Sequence, residues 1–159
     1  MAVTIRSGRP ADAPAILRVH EESIRKLGTA IYSDAEVESW AAGLAPDGYI
    51  RAMTEGGEAF LVAESLPTGI VAFCSYRDSE VCGLYVASSW VRRRIGSNLL
   101  RQAETVIAAA GHPRIPINAS LTGQAFYEAH GYQVVGKGRR KTRGGLNIDV
   151  VDMEKFLAP

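Results

Sequence analysis

Leu84-Tyr85-Val86, followed after a short Ser/Trp linker by Val91-Arg92-Arg93-Arg94-Ile95-Gly96-Ser97-Asn98-Leu99-Leu100, is the stretch on which the reading of this chain turns. The apolar run ending at Val86 predicts a strand, and the pattern from Gly96 onward predicts an amphipathic helix. A strand that feeds a tight turn and then a helix leaves the first helical N–H groups without partners. With the helix dipole, they form an anion site. Gly96 allows close approach of a phosphate, Ser97 offers a hydroxyl donor, and Arg92, Arg93 and Arg94 add charge at the mouth. Residue chemistry alone fits an arginine-rich solvated turn equally well. The run lacks G-x-G-x-x-G and the Gly-Lys-Ser/Thr of a P-loop, which disfavours a dinucleotide fold and a nucleotide-triphosphate loop.

Upstream of this stretch, Val3 to Arg6 reads as a short strand. Asp12 and Pro14 start a helix that ends at Gly28, and Asp34 is placed to cap a second helix that breaks before Pro46. A helix or turn over Asp47 to Thr54 follows. Ala59-Phe60-Leu61-Val62-Ala63, Ile70-Val71-Ala72-Phe73-Cys74 and Glu80 to Val86 predict three strands of an antiparallel meander. Downstream, Leu99, Ala103, Val106, Ile107 and Ala110 form the apolar stripe of the helix that Gly111 and Pro113 end. A strand over Arg114 to Asn118 contains Pro116, which excludes a full ladder on both edges. Ser120 is placed to cap a last helix through His130. Strands at Tyr132 to Val135 and Asn147 to Glu154 flank a Gly/Arg/Lys-rich hairpin loop.

With 159 residues and 47% hydrophobic content, one domain over 1–159 with a substantial core is expected. A net charge of +1 argues against a dedicated nucleic-acid or membrane-surface protein. No apolar run is long enough to span a bilayer, and Met1 to Arg6 carry no signal-peptide block, so the expectation is a soluble cytoplasmic protein. Cys74 and Cys82, symmetric about Asp78, read as free thiols facing each other across a hairpin. His20, His112 and His130 lack ligand spacing, so no metal is expected.

The run from Val91 resembles motif A of the GNAT acetyltransferase superfamily, Arg/Gln-x-x-Gly-x-Gly/Ala before a helix. Asn118-Ala119-Ser120 with Ala125-Phe126-Tyr127-Glu128-Ala129-His130-Gly131-Tyr132 resembles motif B of that superfamily. The resemblance covers nearly the whole chain. Val91 stands where Arg or Gln is usual, and Arg94 replaces the first Gly, where a side chain at positive φ is costly. The resemblance implies an α/β acyl-CoA N-acyltransferase fold: a mixed, mostly antiparallel sheet of six to seven strands, about four flanking helices and splayed central strands. It implies an N-acetyltransferase that uses acetyl-CoA as cosubstrate without a metal, and it allows a homodimer.

Carried over residue by residue, the coenzyme site comprises Leu84, Tyr85, Val86, Val91, Arg92, Arg93, Arg94, Ile95, Gly96, Ser97, Asn118 and Tyr127. Main-chain N–H near Leu84 to Val86 would polarise the acetyl carbonyl. Tyr127 resembles the tyrosine that protonates the departing thiolate, the other reading being a core aromatic. Glu80 lies where some members place a catalytic glutamate; a solvated strand-end residue is the alternative. Tyr32, Trp40 and Tyr49 could line an acceptor pocket or sit in the core. Lys137 to Arg143 could greet an acidic acceptor or form a solvated loop. The expected reaction is direct transfer to a primary amine, on a small molecule. The competing function is a coenzyme A-binding regulatory module without transfer.

Overall fold

A computed structural model describes residues 2–158. The strands are β1 (Thr4–Ser7), β2 (Ala59–Ser65), β3 (Gly69–Arg77), β4 (Glu80–Val86), β5 (Arg114–Ser120), β6 (Gln133–Lys141) and β7 (Asn147–Phe156). The α-helices are α1 (Ala13–Leu27), α2 (Asp34–Ala41), α3 (Pro46–Thr54), α4 (Ile95–Ala109) and α5 (Gln124–Ala129). The α/β class and the strand number agree with expectation, with five helices rather than about four. The strands divide into two antiparallel sheets, β1-β2-β3-β4 and β5-β7-β6. No ladder joins β4 to β5, which is the expected splay. Pro116 therefore sits on a strand laddered on one edge only, where its missing N–H is tolerated.

Burial explains the apolar runs of β2 and β3. Leu61 and Ala63 pack with Leu99, Ala103 and Ile107 of α4. Their alternates Phe60 and Val62 pack with Ile16 and Val19 of α1 and Tyr49 of α3. Both faces are covered, so the period of two is hidden in a continuous hydrophobic run. On α4, Leu99, Leu100, Ala103 and Ile107 are buried, each large side chain contributing about 1.5–3 kcal/mol. Val106, counted in the expected stripe, is 47% exposed. A third cluster joins Val37 and Trp40 of α2 to Ile148 and Val150 of β7, bringing the N-terminal helices onto the second sheet.

Four local expectations change. Ser33 rather than Asp34 caps α2: its hydroxyl accepts from Glu36 N at 3.1 Å, and the Glu36 carboxylate accepts from Ser33 N at 3.0 Å. The register shift between Ser75 and Tyr76 puts Cys74 opposite Leu84 and leaves Cys82 outside the pairing, so the free thiols do not face each other. The last helix starts at Gln124, after Gly123, whose N–H donates to Ser120 Oγ at 3.2 Å. The Gly/Arg/Lys-rich segment expected as a loop is mostly strand, since β6 continues to Lys141.

Candidate active site

The turn before α4 is built on left-handed backbone. Arg92 has φ 63° and Arg94 has φ 61°, and Arg94 occupies the position just before the helix. No side chain caps α4, and its first backbone bond runs from Asn98 N to Arg94 O at 3.0 Å. The N–H groups of Ile95, Gly96 and Ser97 thus have no partner within the helix. A non-glycine residue in this conformation costs about 1–2 kcal/mol. Arg94 is exposed, so little packing is lost with its side chain. Arg94→Gly is expected to raise the melting temperature by about 2–4 °C in a domain of this size. An unchanged or lower melting temperature would count against strain at this position.

These N–H groups open on a cavity of about 460 Å³. Its walls are Leu84, Tyr85 and Val86 of β4, the turn residues Val91, Arg92, Arg94, Ile95, Gly96 and Ser97, and Tyr127 of α5. The edge of β4 that faces β5 carries no ladder, which leaves alternate main-chain groups free there. Tyr127 is buried, its ring edge-on to Phe126 and Tyr132 at 5.3 and 5.6 Å. Its hydroxyl has no hydrogen-bond partner among the described residues, and burial pushes the phenol above its ordinary pKa.

Three expected coenzyme residues are engaged elsewhere. The Arg93 guanidinium lies over the Trp90 ring, 4.5 Å from its centroid, and does not line the cavity. The Asn118 amide donates to Asp152 Oδ1 at 2.8 Å and accepts from Arg140 Nη1 at 3.1 Å; it borders a small cleft between β4 and β5 instead. Ser97 lines the cavity but contacts His130 Nε2 at 2.9 Å. His130 Nδ1 meets the Phe126 carbonyl at 2.8 Å, which can only accept, so Nδ1 carries hydrogen. In the neutral ring, Nε2 then accepts the Ser97 hydroxyl proton, which withdraws that donor from the cavity. Sequence reasoning missed Ser120, Thr122, Gly123 and Phe126 on the opposite wall. The Thr122 hydroxyl is buried and unpartnered. Only its position inside motif B could have flagged it.

A second cavity, of about 930 Å³, shares Trp40 and Tyr85 with the first. Tyr49 also lines it, whereas Tyr32 is in the core, donating to Asp149 O at 2.5 Å and accepting from Leu121 N at 2.8 Å. Arg140 and Lys141 at the end of β6, with Thr142 and the exposed Arg143 of the turn that follows, form one wall. Glu80 is exposed at the start of β4, opposite Arg77, and lines neither cavity. Glu58 and Cys82 do line the second. His20 lies on its floor, with Nδ1 2.8 Å from Tyr49 Oη, its ring 4.2 Å from the Tyr85 ring, and Nε2 buried and unpartnered.

Residues 29–157 match the model of the acetyltransferase (GNAT) domain. The chain belongs to the GNAT acetyltransferase family. It is similar to the uncharacterized N-acetyltransferase YafP of Escherichia coli K12, 21% identical over 142 residues that make up 89% of each chain. Its fold matches a GCN5-related N-acetyltransferase from Rhodopseudomonas palustris with a TM-score of 0.88, at 26% identity over 99% of this chain and 97% of the other. It also matches the PaiA N-acetyltransferase of Thermoplasma acidophilum, solved in complex with coenzyme A, with a TM-score of 0.77 at 22% identity over 99% and 100%. This GNAT chain is thus an acyltransferase enzyme, an N-acetyltransferase by family. Among the described residues, no helix is long and apolar enough to cross a membrane, and no cluster of three His, Cys, Asp or Glu side chains is placed to hold a metal ion.

The buried imidazole gives the GNAT fold an acid-sensitive point. Burial, with Arg143 and Arg140 nearby, lowers the His20 pKa from 6.5 to about 3. Below pH 6.5 the unfolded chain binds a proton that the folded ring refuses. The contribution of His20 is therefore complete above 6.5 and is lost as pH falls towards about 3. One such group gives a slope of at most about 1.4 kcal/mol per pH unit. Urea unfolding at pH 7 and pH 5 should show a smaller stability loss in His20→Gln than in the wild type. Equal losses would remove His20 as the source. Asp12, whose carboxyl is held low by hydrogen bonds from Arg6, adds its loss only as pH falls through 3.8 and below.

Proposed function

We propose that residues 1–159 act as one domain that moves acetyl from acetyl-CoA to the primary amine of a small molecule, by direct transfer in a ternary complex. The observation that carries this reading is the meeting of the two cavities at Trp40 and Tyr85. One suits the coenzyme: the uncapped start of α4, with Arg92 and Arg94 beside it, suits a pyrophosphate. The Thr122 hydroxyl and the free edge of β4 suit the amides of the pantetheine arm, and an N–H of Leu84 to Val86 suits the thioester oxygen. The other cavity opens beside it for the acceptor.

In the proposed step the amine nitrogen attacks the thioester carbon, the C–N bond forms and the C–S bond breaks. Tyr127 gives its hydroxyl proton to the departing sulfur. The proton lost by the amine passes to water in the second cavity, where Glu58 supplies a wall carboxylate, and the phenolate is reprotonated from the same pool. Glu80, exposed beyond both cavities, has no direct part in this scheme. Direct transfer is supported by the state of the thiols. Burial beside Glu58 pushes Cys82 up to about 12, and Cys74 is buried and raised, so neither supplies the thiolate that an acetyl-enzyme requires.

The test is a panel of primary amines incubated with acetyl-CoA, read as free thiol. Amine-dependent thiol release is expected with at least one small amine. Thermal stabilisation by acetyl-CoA with no release across the panel would favour a binding module and contradict transfer.

A further inference from the structure

We infer that the acceptor is an amine that carries a carboxylate, which Arg140 and Arg143 hold on the wall of the second cavity while the amine lies against Tyr85. The inference rests on the transferase reading and narrows its substrate class.

Four cationic side chains, Arg51, Arg140, Lys141 and Arg143, line this cavity against two carboxylates, Asp47 and Glu58. None of the four cations forms an ion pair among the described residues. Arg140 spends one donor on Asn118 Oδ1 at 3.1 Å, leaving most of its guanidinium fork open. Unpaired cations in a concave wall repel a simple ammonium and match a carboxylate, which Arg can bind through two parallel bonds.

The cationic wall is also fixed in place. Ser39 Oγ contacts Thr142 Oγ1 at 2.5 Å and accepts from Leu146 N at 3.1 Å, while Gly144 N donates to Ser39 O at 3.0 Å. The turn after β6 is thereby tied to α2. The Arg143 stem lies across Gly43, where an added Cβ would come within 3.3 Å of Arg143 Cβ. The charge reaches the cavity floor, where Arg143 and Arg140 help keep His20 neutral. Tyr85, on the same floor, borders the coenzyme cavity. One molecule with an anion at one end and an amine at the other spans these two features.

The discriminating pair is an amino acid and its amide, which differ in charge at one end only. The amide is the less basic amine, so charge-blind chemistry at neutral pH would favour it. The protein saturated with coenzyme A is titrated calorimetrically with both, and thiol release from acetyl-CoA is measured in parallel. The acid is expected to bind about ten- to a hundredfold more tightly than its amide. Arg143→Gln and Arg140→Gln should each reduce that preference at least about tenfold while acetyl-CoA affinity persists, which shows that the variants are folded. Equal binding of acid and amide, binding restricted to aminoalkyl phosphates, or an unchanged preference in both variants would overturn the inference. Selective binding of the acid without thiol release would uphold the anion site and overturn the transferase reading instead.

Discussion

Tyr127→Phe is expected to lower kcat by about two to three orders of magnitude, the usual range for loss of a positioned proton donor, while changing the acetyl-CoA dissociation constant less than about threefold. The substitution keeps the ring that packs edge-on between Phe126 and Tyr132 and removes only a hydroxyl with no protein partner. Stability should therefore hold. Burial raises the phenol, so the proton stays on Tyr127 through the neutral range. The thiolate leaves into the same poorly hydrated volume, where its own basicity rises as well, and the two groups remain matched. Steady-state rates and calorimetric titration on the same preparation separate the effects. Unchanged kcat would remove Tyr127 from the chemistry and return it to the core.

The largest expected loss of coenzyme affinity follows Gly96→Val. A Cβ at position 96 would already lie 3.3 Å from Phe126 Cε1 and 3.4 Å from Leu84 Cδ2, so α4 has little room to retreat. The valine methyl groups would crowd the N–H groups that open on the cavity. Binding of acetyl-CoA should weaken on the order of 30-fold, equivalent to about 2 kcal/mol. Gly96→Ala should fall between the two. Overpacking also costs about 1–3 kcal/mol of stability, so affinity is measured well below the melting temperature. Full affinity in the folded valine variant would show that the pyrophosphate does not rest on the start of α4.

The decisive strand, turn and helix were legible because three local signals agree at one place: the apolar run to Val86, the break at Val91 to Arg94, and the helical stripe from Leu99. Tyr127 was legible through its neighbours Phe126, Gly131 and Tyr132. The cationic wall of the second cavity was not. Gly136, Gly138 and the cations Lys137, Arg139, Arg140 and Lys141 read as a loop, yet β6 is an edge strand paired only with β7, where glycine and exposed charge are tolerated. Thr142, buried against Ser39 103 residues away in sequence, ties the turn that carries Arg143 to α2, and no local pattern encodes that contact. The misplaced thiols have a similar origin, since a single bulge shifts one strand of the hairpin by one residue. The cap of α2, by contrast, was readable: Ser33-Asp34-Ala35-Glu36 is a capping-box sequence one residue earlier than the Asp34 reading. The position of Arg93 was not readable, because charge count cannot tell which of three adjacent arginines turns back over Trp90.

The central claim, acetyl passing directly from coenzyme to amine where the two cavities meet, is tested most directly by initial rates over a grid of acetyl-CoA and acceptor concentrations, with the intact mass of the protein recorded after acetyl-CoA alone. Intersecting double-reciprocal lines and an unmodified protein are predicted. Parallel lines together with an acetylated protein would contradict direct transfer and require a nucleophile that neither Cys74 nor Cys82 supplies.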